Sequence, residues 1–70
     1  MRIRLSDESY VPRLESSFLA AGCLAHEVDP VTIRVVHPYA LDTTEAALEL
    51  QFFLRAWQLQ HPQVVAEIVP

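Results

Sequence analysis

The chain carries one cysteine and one glycine in 70 residues. A lone Cys23 excludes an intrachain disulfide, the usual staple of small secreted domains. With only three dispersed histidines beside it, no structural-zinc pattern is present. A single glycine excludes a Gly-rich phosphate loop, and neither a nucleophile elbow nor a Ser-His-Asp spacing occurs. Long apolar runs are missing as well. The densest stretch, Leu48 to Leu59, is broken by Glu49, Gln51, Arg55 and Gln58. It falls short of the ~18–20 apolar residues that a membrane span needs. The opening Met1-Arg2-Ile3-Arg4-Leu5 has no apolar core of a signal peptide. These absences lead us to expect a cytoplasmic protein with no metal and no cofactor.

What is present is a small, mixed, rather apolar chain. It is 51% hydrophobic and 20% charged, with five prolines and a net charge of −4. That is too apolar for disorder. The length allows one domain, residues 1–70, of roughly 4,400 Å² folded surface, with about 60% of the unfolded surface buried. The acidic balance argues against nucleic acid or an anionic membrane as the main partner.

Local patterns give the element order. Arg2 to Ser6 alternates polar and apolar, as a half-buried strand does. Ser6-Asp7-Glu8-Ser9 supplies helix caps; Pro12 fits the first turn if Ser9 is the cap, and sits deeper and distorts the helix if Ser6 or Asp7 is. That helix runs to about Ala21, with Gly22 at its left-handed C-cap and Tyr10, Val11, Leu14, Phe18 and Ala21 on one side. Cys23–Val28 reads as a second strand, Asp29-Pro30 as a turn, and Thr32–His37 as a β-branched third strand. Asp42 or Thr43 caps a second helix that lasts until His61-Pro62, and Val64–Val69 closes the chain as a fourth strand. Were Cys23–Val28 a loop, the order would become β-α-β-α-β with a parallel sheet. The Asp-Pro turn between two β-capable runs favours the hairpin.

The resulting β-α-β-β-α-β order resembles the ferredoxin-like arrangement: an α+β fold, an antiparallel sheet of strand order 4-1-3-2, and both helices on one face. The likeness spans the whole chain in length and order, and extends to ACT and heavy-metal-associated domains in architecture alone. Ser6-Asp7-Glu8-Ser9 stands where the heavy-metal family has its two-cysteine loop. The glycine usual in ACT domains near the first strand–helix junction is absent. The central strands, Ile3-Arg4-Leu5 and Ile33-Arg34-Val35, lack the aromatics of RNA recognition motifs. No family's site is carried over.

Strand parity sends Ile3, Leu5, Val28, Ile33, Val35, Ala66 and Ile68 toward the helices. The opposite face then shows Arg2, Arg4, Ala25, Glu27, Thr32, Arg34, Val36, Val65, Glu67 and Val69. Glu67 is expected beside Arg2 or Arg4, and Arg34 beside Glu27 across the hairpin. This face is either a solvated surface of weak ion pairs or an association surface. In the second case Val36, Val65 and Val69 supply apolar area while Arg4, Arg34 and Glu67 set register. The alternating charges argue against phosphate binding here.

The second helix has one apolar side more than a single core uses. Ala46, Ala47, Leu50, Phe53, Leu54 and Trp57 form one face. Leu48, Phe52 and Leu59 form another, flanked by Arg55. Either the first helix or the Tyr39–Leu41 loop covers this second stripe, or a partner does, or a ligand touches it.

His26, alternating with Leu24 and Val28, is expected on the core side of an edge strand. His37 and His61 punctuate element ends, and Cys23 after a helix C-terminus is expected to be buried and inert. The reading is a non-enzymatic module that associates with a second copy or another protein. Its surface is the stripe of Leu48, Phe52, Arg55 and Leu59 or the sheet face of Arg4, Arg34, Val36, Val65 and Glu67. An alternative is an ACT-like sensor binding an amino acid or anion at a subunit interface near Ser6–Ser9, where helix amides could receive an anion. An enzyme built around His26 or His37 is a third class.

Overall fold

The computed structural model describes all residues, 1–70. The strands are β1 (Arg2–Leu5), β2 (Leu24–Asp29), β3 (Thr32–Val36) and β4 (Ala66–Val69); the helices are α1 (Val11–Ala20) and α2 (Thr43–Gln60). The four strands form one antiparallel sheet in the order β2-β3-β1-β4, the expected order read from the other edge. The fold is α+β, and the Cys23–Val28 region is a strand, not a loop.

One face of the sheet supplies Ile3, Leu5, Ile33 and Val35 to the core. Val11, Leu14 and Phe18 of α1 and Leu50, Leu54 and Trp57 of α2 close over it. Both helices therefore lie on the same side, and the other face of the sheet is open. The folded surface is 4573 Å², close to the size-scaling expectation, so the core is as small as the length implies.

The caps explain the boundaries. Asp7, not Ser9, begins the first helical segment: its carboxylate accepts the Ser9 N–H at 2.9 Å and the Ser9 hydroxyl at 2.7 Å. This holds a 3₁₀ turn, Glu8–Tyr10, ahead of α1. Pro12 then falls in the first turn of α1, where its missing N–H costs nothing. α1 ends on a left-handed Gly22 with φ +88°. The Gly22 N–H donates to Leu19 and the Cys23 N–H to Phe18, both at 3.0 Å, which closes a Schellman motif with Cys23 and Phe18 packed in the core. No atom lies within 4 Å of a Cβ added at Gly22. Gly22→Ala is thus expected to cost only backbone strain, about 1 kcal/mol. A thermal melt should show a midpoint lower by ~4–8 °C with unchanged far-UV dichroism. At α2, the Asp42 carboxylate accepts the Glu45 N–H at 2.7 Å.

Gln58 fastens the far end of α2 to the last strand. Its amide donates to His61 O at 3.0 Å and also to Val64 O, and its carbonyl accepts the Ala66 N–H at 2.7 Å. The strand begins at Ala66, later than Val64, since the Val64 N–H donates to His61 O and the Val65 N–H to the Ser6 hydroxyl; Val64 itself is fully buried. Trp57 and His61 stack at 4.2 Å, and Tyr10 meets both edge-on.

One expectation about side-chain direction is overturned. The β2–β3 ladder pairs Asp29 with Thr32 but Glu27 with Ile33, so a bulge inserts Val28. One extra residue inverts the parity of everything before it. Ala25 and Glu27 therefore share the helix-side face with Val35 and Ile33, and Ala25 packs on the core. Leu24 and His26 take the open face opposite Val36 and Arg34. Val28 is exposed, not turned into the core.

Candidate association surfaces

The second apolar stripe of α2 is not covered by its own chain. Leu48 is 51% exposed, Phe52 67% and Leu59 77%. The nearest candidate covers are themselves exposed: Tyr39 and Leu41 lie in solvent, and α1 packs on the core beside β2 and β3. Arg55 stands within the stripe, because positions 48, 52, 55 and 59 recur at helical spacing. Leu48, Gln51, Phe52 and Arg55 ring a shallow depression. Gln51 and Arg55 also line a groove of ≈ 360 Å³ between α2 and β4, with Leu54, Leu59 and Ile68 as its apolar walls.

Ile68 was expected to face the helices, and it does lie on that side of the sheet opposite Ile3. It is nonetheless 45% exposed, because β4 is the edge strand and α2 does not overhang it fully. Since Ala66 N–H turns outward to Gln58, Ile68, two residues on, presents its N–H and C=O along the same free edge. Sequence parity places Ile68 in the core. Its position on an edge strand is the signal that it borders a groove.

On the open sheet face one expected charge pair forms and the other does not. Glu67 lies opposite Arg4 and accepts its guanidinium at 3.0 Å from Nε. Asp29 is near the same arginine, and its carboxyl lies below the ordinary range, chiefly because it accepts the Val31 N–H. Arg34 faces His26, not Glu27, and has no carboxylate partner. Val36 and Val65 are exposed on this face, and the Val65 N–H donates to the Ser6 hydroxyl at 2.8 Å.

The titratable and nucleophilic groups are scattered. His26 is on the open sheet face. His37, at the end of β3, meets Glu49 of α2 through Nε2. His61 Nδ1–H donates to Trp57 O at 2.8 Å and caps α2. Cys23 is buried, and burial pushes its thiol up from its ordinary value, with the Glu49 charge adding to the effect. No three His, Cys, Asp or Glu side chains converge as a metal site. At the Ser6–Ser9 turn, Asp7 already holds the Ser9 amide, and the adjoining hollow is walled by Glu8, Glu27 and Asp29. Three carboxylates there repel an anion.

No family model, curated protein or solved structure matches this chain. No helix is long and apolar enough to cross a membrane.

Proposed function

We propose that this chain is a non-enzymatic association module of ferredoxin-like fold that pairs with a second copy of itself through the outer face of α2 and the neighbouring edge of β4. The observation that carries this reading is the exposed α2 stripe of Leu48, Phe52 and Leu59, with Ile68 of β4 lining the same groove as Leu59. Together these side chains offer on the order of 400 Å² of apolar surface per chain. A two-fold pair would then approach the ~1,000 Å² that a specific interface needs.

A two-fold axis beside β4 is compatible with the available groups. Antiparallel pairing of the two edges would use the free Ile68 N–H and C=O. It would bring the two α2 helices side by side and place each Arg55 near an aromatic Phe52 of the other copy, where a guanidinium gains from the ring face. The non-enzymatic reading is supported by the occupations of the reactive groups: His61 caps a helix, His37 is engaged by Glu49, and the Cys23 thiol is buried with its pKa raised. A lone unpaired cysteine suits a reducing compartment, which supports placement in the cytoplasm.

Light scattering on a size-exclusion column tests the pairing. Across a tenfold range of concentration the mass should stay near twice 7.9 kDa, or rise toward that value with concentration. A constant mass of one chain throughout would overturn self-association.

A further inference from the structure

All five cationic side chains of this chain are arginines, and three of them, Arg2, Arg4 and Arg34, share the open sheet face. Their circumstances differ. Arg4 is neutralised by Glu67 and lies near Asp29. Arg2 and Arg34 are directly opposed between β1 and β3, and neither reaches a carboxylate. His26 stands opposite Arg34 on β2, and Val69 opposite Arg2 on β4. The row His26–Arg34–Arg2 thus crosses three strands over roughly 10 Å, at ~4.8 Å per strand.

Like charges placed directly opposite in a sheet weaken it. The bulge at Val28 produces this arrangement, since it turns Glu27 to the other face and leaves Arg34 without its expected partner. With Arg2, Arg4 and Arg34 set against Glu67 and Asp29, the open face carries a net +1. The remainder of a chain of net charge −4 then carries −5. The one cationic surface is therefore confined to the side away from both helices. Beside the row, Leu24 and Val36 oppose each other and are both exposed.

From this juxtaposition of two unpaired, opposed arginines with flanking aliphatic side chains, we propose that the open sheet face docks an acidic peptide segment of another protein, one that alternates carboxylate and aliphatic side chains. Carboxylates lying between Arg2 and Arg34 turn their mutual repulsion into attraction, and Leu24 and Val36 receive the aliphatic neighbours. The face favours a peptide over nucleic acid for two reasons. Its strand residues include no Phe, Tyr or Trp, and its single ring, His26, gives no platform for successive bases to stack. The −5 carried elsewhere also repels a long polyanion. The site lies on the far side of the sheet from α2, so it does not depend on the pairing proposed above.

The test is fluorescence anisotropy with a labelled hexapeptide of alternating glutamate and valine at low salt. The chain should bind it saturably, and added salt should weaken binding. The double variant Arg2→Gln with Arg34→Gln should lose at least tenfold in affinity. Arg34→Gln alone should lose severalfold, while Arg13→Gln, which removes the same single charge from the helix side, should stay within twofold of the unaltered chain. Without peptide, Arg34→Gln should melt at the same temperature or higher, since it relieves a like-charge contact. Four outcomes would overturn the proposal: no saturable binding; equal losses from Arg13→Gln and Arg34→Gln; tighter binding of a single-stranded oligothymidylate than of the peptide; or a changed solution mass in the arginine variants alone, which would make the face a self-contact.

Discussion

A Phe18→Ala chain is expected to be largely unfolded at 25 °C. Phe18 is fully buried at the centre of α1's inner face, and its ring lies 4.5 Å from that of Phe53, tilted by 36°. Truncating a buried phenylalanine costs about 3–5 kcal/mol, through lost transfer energy and the cavity left behind. A single core in a chain of this size rarely supplies more than about 3–5 kcal/mol, so the loss consumes most or all of it. Phe18 also anchors the end of α1, since its carbonyl accepts the Cys23 N–H. Urea unfolding monitored at Trp57 measures the effect. Leu19→Ala, one residue along the same helix and half-exposed, is the comparison and should cost well under half as much. If both variants unfold at the same urea concentration, the assignment of the core is wrong.

Phe52→Asp is expected to leave the fold intact and abolish pairing. Phe52 is mostly solvated in the single chain, so a carboxylate there displaces nothing from the core. The intrinsic helix cost of aspartate in place of phenylalanine is small, and Arg55 three residues on offers it a partner. In a two-fold pair the same carboxylate would be buried twice in the apolar stripe. We expect the dissociation constant to rise at least 100-fold, about 3 kcal/mol, with the elution mass falling to one chain. The neighbouring Phe53→Asp should behave in the opposite way. Phe53 packs on Phe18, so a charge there should unfold the domain. A Phe52→Asp chain that is unfolded, or one that still pairs, would remove the outer face of α2 from the proposal.

The contrast between these adjacent phenylalanines was legible before any fold was known. A helix rotates its side chains by 100° per residue, so Phe52 and Phe53 fall on different faces wherever the helix packs. The same local physics gave the caps at Asp42 and Gly22, the Asp-Pro turn and the element order. The cap at Asp7 was less legible, because four successive residues can each accept a backbone N–H and only packing chooses among them. Arg4 beside Glu67 was within reach of parity plus strand order.

The charge pattern of the open face was not legible, and Arg34 shows why. Its partner depends on whether one residue is inserted in β2, and a bulge of one residue leaves composition and hydropathy almost unchanged while inverting every side chain before it. His26, Leu24 and Glu27 all changed faces by this single step. Exposure of the α2 stripe was likewise open. Periodicity identified Leu48, Phe52 and Leu59 as a second apolar side, but whether α1 or the Tyr39–Leu41 loop lay across it is a matter of long-range placement.

By itself the sequence determined the elements, their ends and the two faces of each helix, because these follow from contacts within about one turn or one strand of the chain. Only the tertiary structure decided which apolar face stays in water, that Ile68 extends it along a free edge, and that Arg2 and Arg34 stand opposed without a carboxylate. Those features arise where strands and helices distant in sequence meet, and their register is set by packing that no local pattern encodes.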